Sequence, residues 1–246
     1  MHNYTIDINV DVGEGVNNES QLMPYISSCN IACGGHAGDV KTMRTVVKLA
    51  KQHQVKIGAH PSFPDKENFG RIPVEMPSVD LFKSIKTQIE ALLTILKEAH
   101  LRLCHVKPHG ALYNMAVKDE RIATIIVEVI KSIALPLKLY APYNSVISKI
   151  AIENNIPVIY EAFADRNYNN DLTLVSRQEK RALIEDKNEM FKHVYRMISD
   201  RKVKTIQGAE IDIIAYAFCI HGDNSKAVFL VKNLKEKLEL HGVQIR

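Results

Sequence analysis

The chain has 246 residues, of which 46% are hydrophobic and 24% charged, a composition typical of a globular protein with a full apolar core. Its formal net charge of +4 is spread along the chain, with Lys and Arg alternating with Asp and Glu on the expected helix faces. This distribution argues against a nucleic-acid or membrane partner. The length suits a single α/β barrel domain over residues 1–246.

The N-terminal segment and the cysteines indicate a cytoplasmic protein. Met1–Asp7 enters a strand-like alternation and lacks the basic start and apolar stretch of a signal peptide. No apolar run reaches the length of a membrane span. The four cysteines (Cys29, Cys33, Cys104 and Cys219) are widely separated, so we expect reduced thiols rather than disulfides.

One unit repeats along the chain: a short strand, a polar segment and an amphipathic helix. This order predicts parallel strands and a layered α/β fold. We expect about seven strands, at Ile6–Val12, Ser28–Ala32, Val55–His60, Leu103–Lys107, Leu137–Ala141, Pro157–Ala162 and Ala217–His221. The alternation weakens at Asp165–Thr173, where we expect a long functional loop, and at Ser199–Asp212, where we expect an irregular return to the last strand. Ser176 with Glu179 predicts a helix start with a capping box.

The first strand carries polar residues on one face, because successive side chains of a strand point to opposite sides. Asn9 and Asp11 share this face, and Glu14 follows in a turn flanked by glycines. Barrel enzymes assemble their active sites at the C-terminal ends of the strands, so we expect these residues to contribute to a site. For Glu14 a simple turn-capping role is an equal alternative.

A glycine-rich turn into a helix follows the second strand, in residues 30–39. Its free N–H groups and the positive helix end could hold a phosphate or carboxylate. The candidate binding residues are Asn30, Gly34, Gly35, His36 and Asp39. The GxxxxGK[ST] spacing of a P-loop is absent from the chain. Cys29, Cys33 and His36 could be drawn as zinc ligands, but without a second pair at matching spacing buried thiols are the better interpretation.

Basic side chains follow the third and fourth strands. His60 ends the third strand, where a histidine alone could equally serve core hydrogen bonding or chemistry. Arg71 lies in the loop after it, where an arginine alone is more often a solvated surface residue. Lys107 ends the fourth strand, where burial would be tolerated only with a paired group or a charged ligand. His109 follows and can act as acid, base or ligand near neutral pH. Residues 105–114 are therefore the most informative stretch of the chain.

The last polar cluster is split between residues 161–168 and 219–224. It combines three carboxylates with a cation and a proton carrier: Glu161, Asp165, Asp223, Arg166 and His221. Asp223 precedes a helical stretch, so a role only at the helix start is an alternative. A His-Gly pair at a strand end is harder to explain by packing alone.

Six segments, in order, carry a resemblance to a known family: Asp7–Gly15, Cys29–Asp39, Gly58–Asp65 with Phe69–Arg71, His105–Asn114, Glu161–Tyr168 and Cys219–Asp223. They resemble the motif set of the LamB/YcsF family, the A-type subunits of 5-oxoprolinase, over nearly the whole chain. The combination of HxKPHGALYN with CGGHAGD upstream and HGD downstream is highly specific. Departures at Val10, Val40, Leu172 and Ser176 remove no candidate catalytic group.

The resemblance implies an incomplete, distorted seven-stranded (β/α) barrel, similar to the glycoside hydrolase and deacetylase barrels. It further implies the ATP-dependent opening of 5-oxo-L-proline to L-glutamate together with two partner subunits, with ATP and Mg²⁺ as cofactor. The catalytic candidates are then Asp11, Lys107, His109, Asp165 and His221. The candidates for binding substrate or nucleotide are Asn9, Glu14, Asn30, Gly34, Gly35, His36, Asp39, His60, Arg71, Tyr113, Glu161, Arg166 and Asp223.

A likeness to deacetylase barrels at the level of the fold gives a second interpretation. In it, Asp11, His60 and His109 resemble metal ligands, and Asp with two His suits a divalent ion. Lys107 beside them would raise the cost of binding an ion, so a tightly bound metal is not favoured. The alternative function is a metal-dependent amidohydrolase or carbohydrate deacetylase acting on a small molecule. A third is a binding subunit whose partners hold all the chemistry.

Overall fold

Parallel strands closed into a barrel form the centre of the computed structural model, which describes residues 4–246. The sequence predicts the approach to the first strand at Met1–Asn3, a segment that lies outside the described residues. The strands are β1 (Tyr4–Val12), β2 (Ser28–Ala32), β3 (Lys56–His60), β4 (Leu103–Val106), β5 (Lys138–Pro142), β6 (Val158–Phe163), β7 (Lys202–Lys204), β8 (Glu210–Asp212), β9 (Ala217–Ile220) and β10 (Val243–Ile245). Strands β1 to β6 pair in order, and β9 joins β6 to β1. The predicted seven-stranded barrel is confirmed, and it is closed. Each of its predicted strands lies within two residues of the observed bounds.

Helices surround the barrel. They are α1 (Glu19–Leu22), α2 (Val40–His53), α3 (Ser78–Glu98), α4 (Gly110–Ala116), α5 (Glu120–Ser132), α6 (Val146–Glu153), α7 (Lys187–Ser199) and α8 (Ala227–Leu240), with a 3-10 turn at Met23–Tyr25. Asp39 caps α2 by accepting the Thr42 N–H at 2.7 Å. In α3, Leu81, Ile85 and Ile89 recur at helical spacing and are fully buried. Within residues 4–246, no helix is long and apolar enough to cross a membrane.

The interior of the barrel is polar. In β1 the apolar residues face the surrounding helices, whereas Asp7, Asn9 and Asp11 alternate with them. Asp7 accepts hydrogen bonds from Ser28 Oγ at 2.6 Å and from Tyr140 Oη at 3.0 Å, on strands β2 and β5. Polar side chains from separate strands therefore satisfy one another inside the barrel, as burial requires.

Two irregular segments differ from the sequence-based expectation. The capping box at Ser176 is wrong: Glu179 N bonds to Ser176 O in an isolated turn, and the next helix, α7, begins only at Lys187. The bridge between Arg166 and Leu183 keeps the chain extended after the turn, so the turn cannot propagate into a helix. The predicted irregular return at 199–212 is also wrong, because β7 and β8 form an antiparallel pair there.

Candidate active site

A cavity of about 510 Å³ opens where the barrel strands end. Side chains from the loops after β1, β3, β4, β6 and β9 line it. Eleven of the residues predicted from the sequence are among the lining: Asp11, Glu14, His60, Arg71, Lys107, His109, Tyr113, Glu161, Arg166, His221 and Asp223. Closure of the strands thus brings groups up to about two hundred residues apart into one cavity.

The other predicted site residues do not line this cavity. Asn30, His36 and Asp165 lie behind it and each contact a residue that does, while Asn9 contacts Asn30. Gly34, Gly35 and Asp39 belong to the turn before α2, and Asp39 serves there as the helix cap. A Cβ atom on Gly35 would lie 2.3 Å from Ser62 Oγ, so this glycine permits close packing of the turn.

Lys107 is the buried cation at the centre of the site. Its Nζ lies 3.0 Å from Asp11 Oδ1, 3.3 Å from Glu161 Oε1 and 2.9 Å from Cys219 Sγ, and the residue is 1% exposed. Burial lowers the pKa of Lys107, but the carboxylate of Asp11, with Cys219 and Glu161, outweighs this effect and raises it well above its usual value. Lys107 therefore stays charged.

The side-chain amides of Asn30 and Asn9 form a layer next to Asp11, and Asn30 holds its carboxylate in place. Asn30 Nδ2 donates to Asp11 Oδ1 at 2.8 Å and to Asn9 Oδ1 at 2.7 Å. Burial lowers the pKa of His105 to about 3, so its ring is neutral and its Nε2–H can donate to Asn30 Oδ1 at 2.7 Å. Burial also raises the pKa of Asp11, but His60 and Lys107 outweigh it and hold that pKa well below the usual range. Asp11 is a fixed carboxylate.

Glu161 is the contrasting carboxyl group. Burial raises its pKa despite the nearby Lys107. Tyr113 Oη donates to Glu161 Oε2 at 3.0 Å. Oε1 forms the ion pair with Lys107 but has no hydrogen-bond partner within the described part of the chain. Two carboxyl groups thus lie on either side of one ammonium group with pKa values shifted in opposite directions, an arrangement suited to acid–base chemistry.

Three histidines and Glu14 form a second cluster at the cavity edge. His60 Nε2 lies 3.0 Å from His109 Nδ1 and 3.4 Å from Asp11 Oδ2, so the three residues predicted as metal ligands are neighbours. Glu14 Oε1 lies 2.8 Å from His36 Nε2 and 3.3 Å from His109 Nδ1. The rings of His36 and His109 stack at 3.6 Å. The histidine cluster therefore includes His36 and Glu14, and the Glu14 carboxylate approaches the rings more closely than the Asp11 carboxylate does.

Asp165 and His221 form another pair at the cavity. Asp165 accepts the His221 backbone N–H at 3.0 Å and lies 3.0 Å from His221 Nδ1. Burial raises the pKa of Asp165, but His221 outweighs it and lowers that pKa overall. Asp165 thereby holds the His221 ring, which lines the cavity, while its own carboxylate stays behind the ring.

Arginines cover the mouth of the cavity. Asp223 Oδ2 accepts from Arg71 at 2.5 Å and from Arg177 at 3.1 Å, which ties together the loops after β3, β6 and β9. Arg166 donates to Val175 O at 2.5 Å, but its buried Nε has no hydrogen-bond partner among residues 4–246. Burial, and then Arg177, lowers the pKa of Arg166. Such a guanidinium group is suited to an anionic ligand.

The profile of the LamB/YcsF family matches residues 6–246. This chain belongs to the LamB/YcsF family. It is 42% identical over 247 residues to the A-type subunit of 5-oxoprolinase from Bacillus cereus (strain AH187), covering 98% of both chains. Its structure is similar to that of the lactam utilization protein from Thermus thermophilus, with a TM-score of 0.92, 34% identity, and coverage of 98% of this chain and 99% of that chain. A GH18 chitinase from Pseudoalteromonas aurantia shares only the fold, with a TM-score of 0.56, 8% identity, and coverage of 94% of this chain and 100% of that chain.

Sequence reasoning missed two contacts of this LamB/YcsF site. Cys219 contacts Lys107, and the signal for it was its place on the same strand face as His221. Arg177 pairs with Asp223, but no local pattern could place a loop residue across the cavity mouth. The sequence predicts a functional loop only over Asp165–Thr173, whereas residues 172–178 line the cavity.

Proposed function

We propose that this chain is the lactam-opening subunit of an ATP-dependent 5-oxoprolinase, a cytoplasmic enzyme that converts 5-oxo-L-proline to L-glutamate with two partner subunits. The names of the relatives, a 5-oxoprolinase subunit and a lactam utilization protein, support a hydrolase acting on a lactam. The single observation that carries the proposal is the buried ammonium group of Lys107 between Asp11 and Glu161 in the cavity. ATP, with Mg²⁺, is the proposed cofactor.

The chemistry explains why such a cation is needed. A five-membered lactam is a stabilised amide, and phosphorylation of its oxygen by ATP provides a leaving group before water attacks. ADP leaves when the γ-phosphoryl group is transferred to the lactam oxygen. Water then adds to the ring carbon, and the ring C–N bond breaks to give γ-glutamyl phosphate. A second water cleaves this acyl phosphate to L-glutamate and phosphate. Negative charge develops on oxygen in this sequence, and a preorganised buried cation stabilises it. Lys107 supplies that charge.

The remaining groups fit the other requirements of the reaction. Arg166, with its unpartnered Nε, and Arg177 suit the carboxylate of the substrate. Glu161, whose raised pKa favours the protonated form, is the acid that donates to the departing ring nitrogen. Of the predicted base candidates, Asp11 and His109 line the cavity, whereas Asp165 lies behind His221. We assign proton removal from water to Asp11, because both ring nitrogens of His109 already have partners, Phe69 O and the His60 ring.

A glutamate-formation assay with 5-oxoproline and ATP tests this function. The full chain is assayed alone, with its partner subunits, and with the partners but without ATP. Turnover is expected only when ATP and all three chains are present. Equal turnover by the partners without this chain would disprove its catalytic role.

One observation favours a second candidate function. The grouping of Glu14 with three histidines suits a metal-dependent amidohydrolase or deacetylase acting on a small molecule. That function predicts turnover by this chain alone with a divalent transition-metal ion and without ATP. The same assay, run with the metal-supplemented chain and acetylated sugars or small amides, separates the two functions.

A further inference from the structure

Four side chains converge at one edge of the cavity. Glu14, His36, His60 and His109 each offer one ligand atom, and these atoms all lie within 4.8 Å of one another. The closest separations are 2.8 Å, 3.0 Å and 3.3 Å. Two ligands of a tetrahedral ion with bonds of about 2.0–2.2 Å lie about 3.3–3.6 Å apart, so the cluster has nearly the size of a coordination shell.

Hydrogen bonds to backbone carbonyls orient two of the rings so that their other nitrogens face each other. His60 Nδ1 is 2.7 Å from Lys107 O, and His109 Nε2 is 2.9 Å from Phe69 O, so each of these nitrogens carries a proton and donates it. The other ring nitrogens, His60 Nε2 and His109 Nδ1, face each other 3.0 Å apart within the cluster. An ion at this point would be held by both rings. Fixing the second ring nitrogen on a backbone carbonyl is how proteins orient histidine ligands.

The other two members also lack a complete set of protein partners. His36 is 2% exposed, and its Nδ1 has no hydrogen-bond partner in the described range 4–246. The Glu14 side chain is 5% exposed, and its Oε1 lies 2.8 Å from His36 Nε2. A divalent ion at this point would give the buried Glu14 carboxylate a counter-charge.

The backbone around the cluster packs closely against its side chains. Gly70 has a φ of +61°, and a Cβ there would lie 3.0 Å from His36 Cβ and 3.1 Å from His109 Cδ2. The preceding carbonyl, of Phe69, is the one that accepts from His109. The glycine thus lets the loop after β3 approach closely enough to fix the ring, which makes the cluster a preformed arrangement rather than a chance contact.

Lys107 does not prevent an ion from binding here. The sequence suggested that its charge would raise the cost of a metal, but Asp11 lies between the two: Oδ1 contacts Lys107 Nζ, and Oδ2 lies 3.4 Å from His60 Nε2. The carboxylate screens the cluster from the ammonium group. Three members, Glu14, His60 and His109, line the cavity, so a coordination position of the ion would face it.

We propose that Glu14, His36, His60 and His109 form a binding site for one divalent transition-metal ion of the zinc class. Three imidazoles and one carboxylate suit Zn²⁺, Co²⁺ or Ni²⁺. They do not suit Mg²⁺ or Ca²⁺, which prefer oxygen ligands. The site is therefore distinct from the Mg²⁺ that accompanies ATP, and it requires neither nucleotide nor 5-oxoproline.

Metal binding by the full chain, purified without a polyhistidine tag and stripped with a chelator, tests the proposal. After titration with Zn²⁺ or Co²⁺ and desalting, elemental analysis is expected to give one equivalent per chain, which millimolar Mg²⁺ does not displace. The Co²⁺ spectrum is expected to show visible ligand-field bands without the near-ultraviolet charge-transfer band of a thiolate ligand. No bound equivalent, or a strong thiolate band from the cysteines, would overturn the proposal.

Substitutions locate the ion. His36→Gln and His109→Gln are each expected to weaken Co²⁺ binding by at least about tenfold. His193→Gln is the matched control, because this partly buried ring contacts Phe163 O outside the cluster, and it should bind Co²⁺ like the wild type. Circular dichroism checks folding, and Glu14→Gln replaces any variant that does not fold. Wild-type affinity in the folded cluster variants would refute the assignment.

Discussion

The Lys107 ammonium group and the Asp11 carboxylate, 96 positions apart in the chain, meet at 3.0 Å inside the barrel. Neither charge would be tolerated there alone, because burial of an unpaired ion costs several kcal/mol. Glu161 and Cys219 complete the surroundings of the ammonium group. The pair is therefore both a structural contact and a source of fixed charge next to the cavity.

Replacement of Lys107 by methionine tests both roles, the charge next to the cavity through activity and the structural contact through stability. We expect Lys107→Met to abolish glutamate formation in the reconstituted complex and to lower the free energy of unfolding by about 3 kcal/mol, since Asp11 is left buried without its cation. Asp11→Asn should also abolish turnover. Lys192→Ala is the control, because this exposed lysine pairs with Glu189 away from the cavity lining. Activity and urea denaturation measure the two effects, and full turnover in both site variants would contradict the assigned role.

The sequence predicted the strands and the groups at their ends for physical reasons. Alternation in β1 places Asp11 opposite the apolar face, and parallel strands end at the same edge of the barrel, so Asp11, His60 and Lys107 had to be close. The burial of apolar side chains could also be predicted from their helical spacing, as for Leu81, Ile85 and Ile89 in α3. These features depend on local periodicity, which a single sequence contains.

Contacts made by loops could not be predicted in the same way. The pairing of Arg177 with Asp223 depends on how two loops fold back over the cavity, which no periodicity encodes. Ser176 and Glu179 have the local pattern of a capping box, but the extended pairing of Arg166 with Leu183 overrides it. His36 was assigned to anion binding from its place in a glycine-rich turn, and only the tertiary structure brings it against Glu14.

Arg166 is expected to determine the affinity for the substrate carboxylate. Arg166→Met should raise KM for 5-oxoproline by at least about tenfold with a smaller change in kcat, since a hydrogen bond to a charged group contributes about 1.5–3 kcal/mol. Arg196→Met, which removes an exposed arginine paired with Glu210, is the control. Steady-state kinetics with varied 5-oxoproline provides the measurement. An unchanged KM in folded Arg166→Met would exclude the contact.

Gly110 is expected to be required by close packing as well as by its backbone conformation. Its φ is +53°, and an added Cβ would lie 2.5 Å from Gly70 O. Gly208 has a φ of +90° with nothing within 4 Å of an added Cβ, so Gly208→Ala measures the conformational cost alone. Gly110→Ala should lose at least about 1 kcal/mol more stability than Gly208→Ala, because the loop around Gly70 must move. Equal losses in urea denaturation would show that the contact relaxes freely.

Asp165 is expected to make stability depend on pH in the acid range. Its pKa is lowered in the folded state, so ionised Asp165 stabilises the fold above the unfolded-state pKa of about 3.9, and this contribution is lost as the pH falls through the folded-state value. Asp165→Asn should therefore be less stable than the wild type by about 2 kcal/mol at pH 7, and the difference should shrink below about pH 4. Urea denaturation of both proteins between pH 7 and pH 3 tests this sign. A difference that grew on acidification would mean that the His221 contact does not favour the ionised carboxylate.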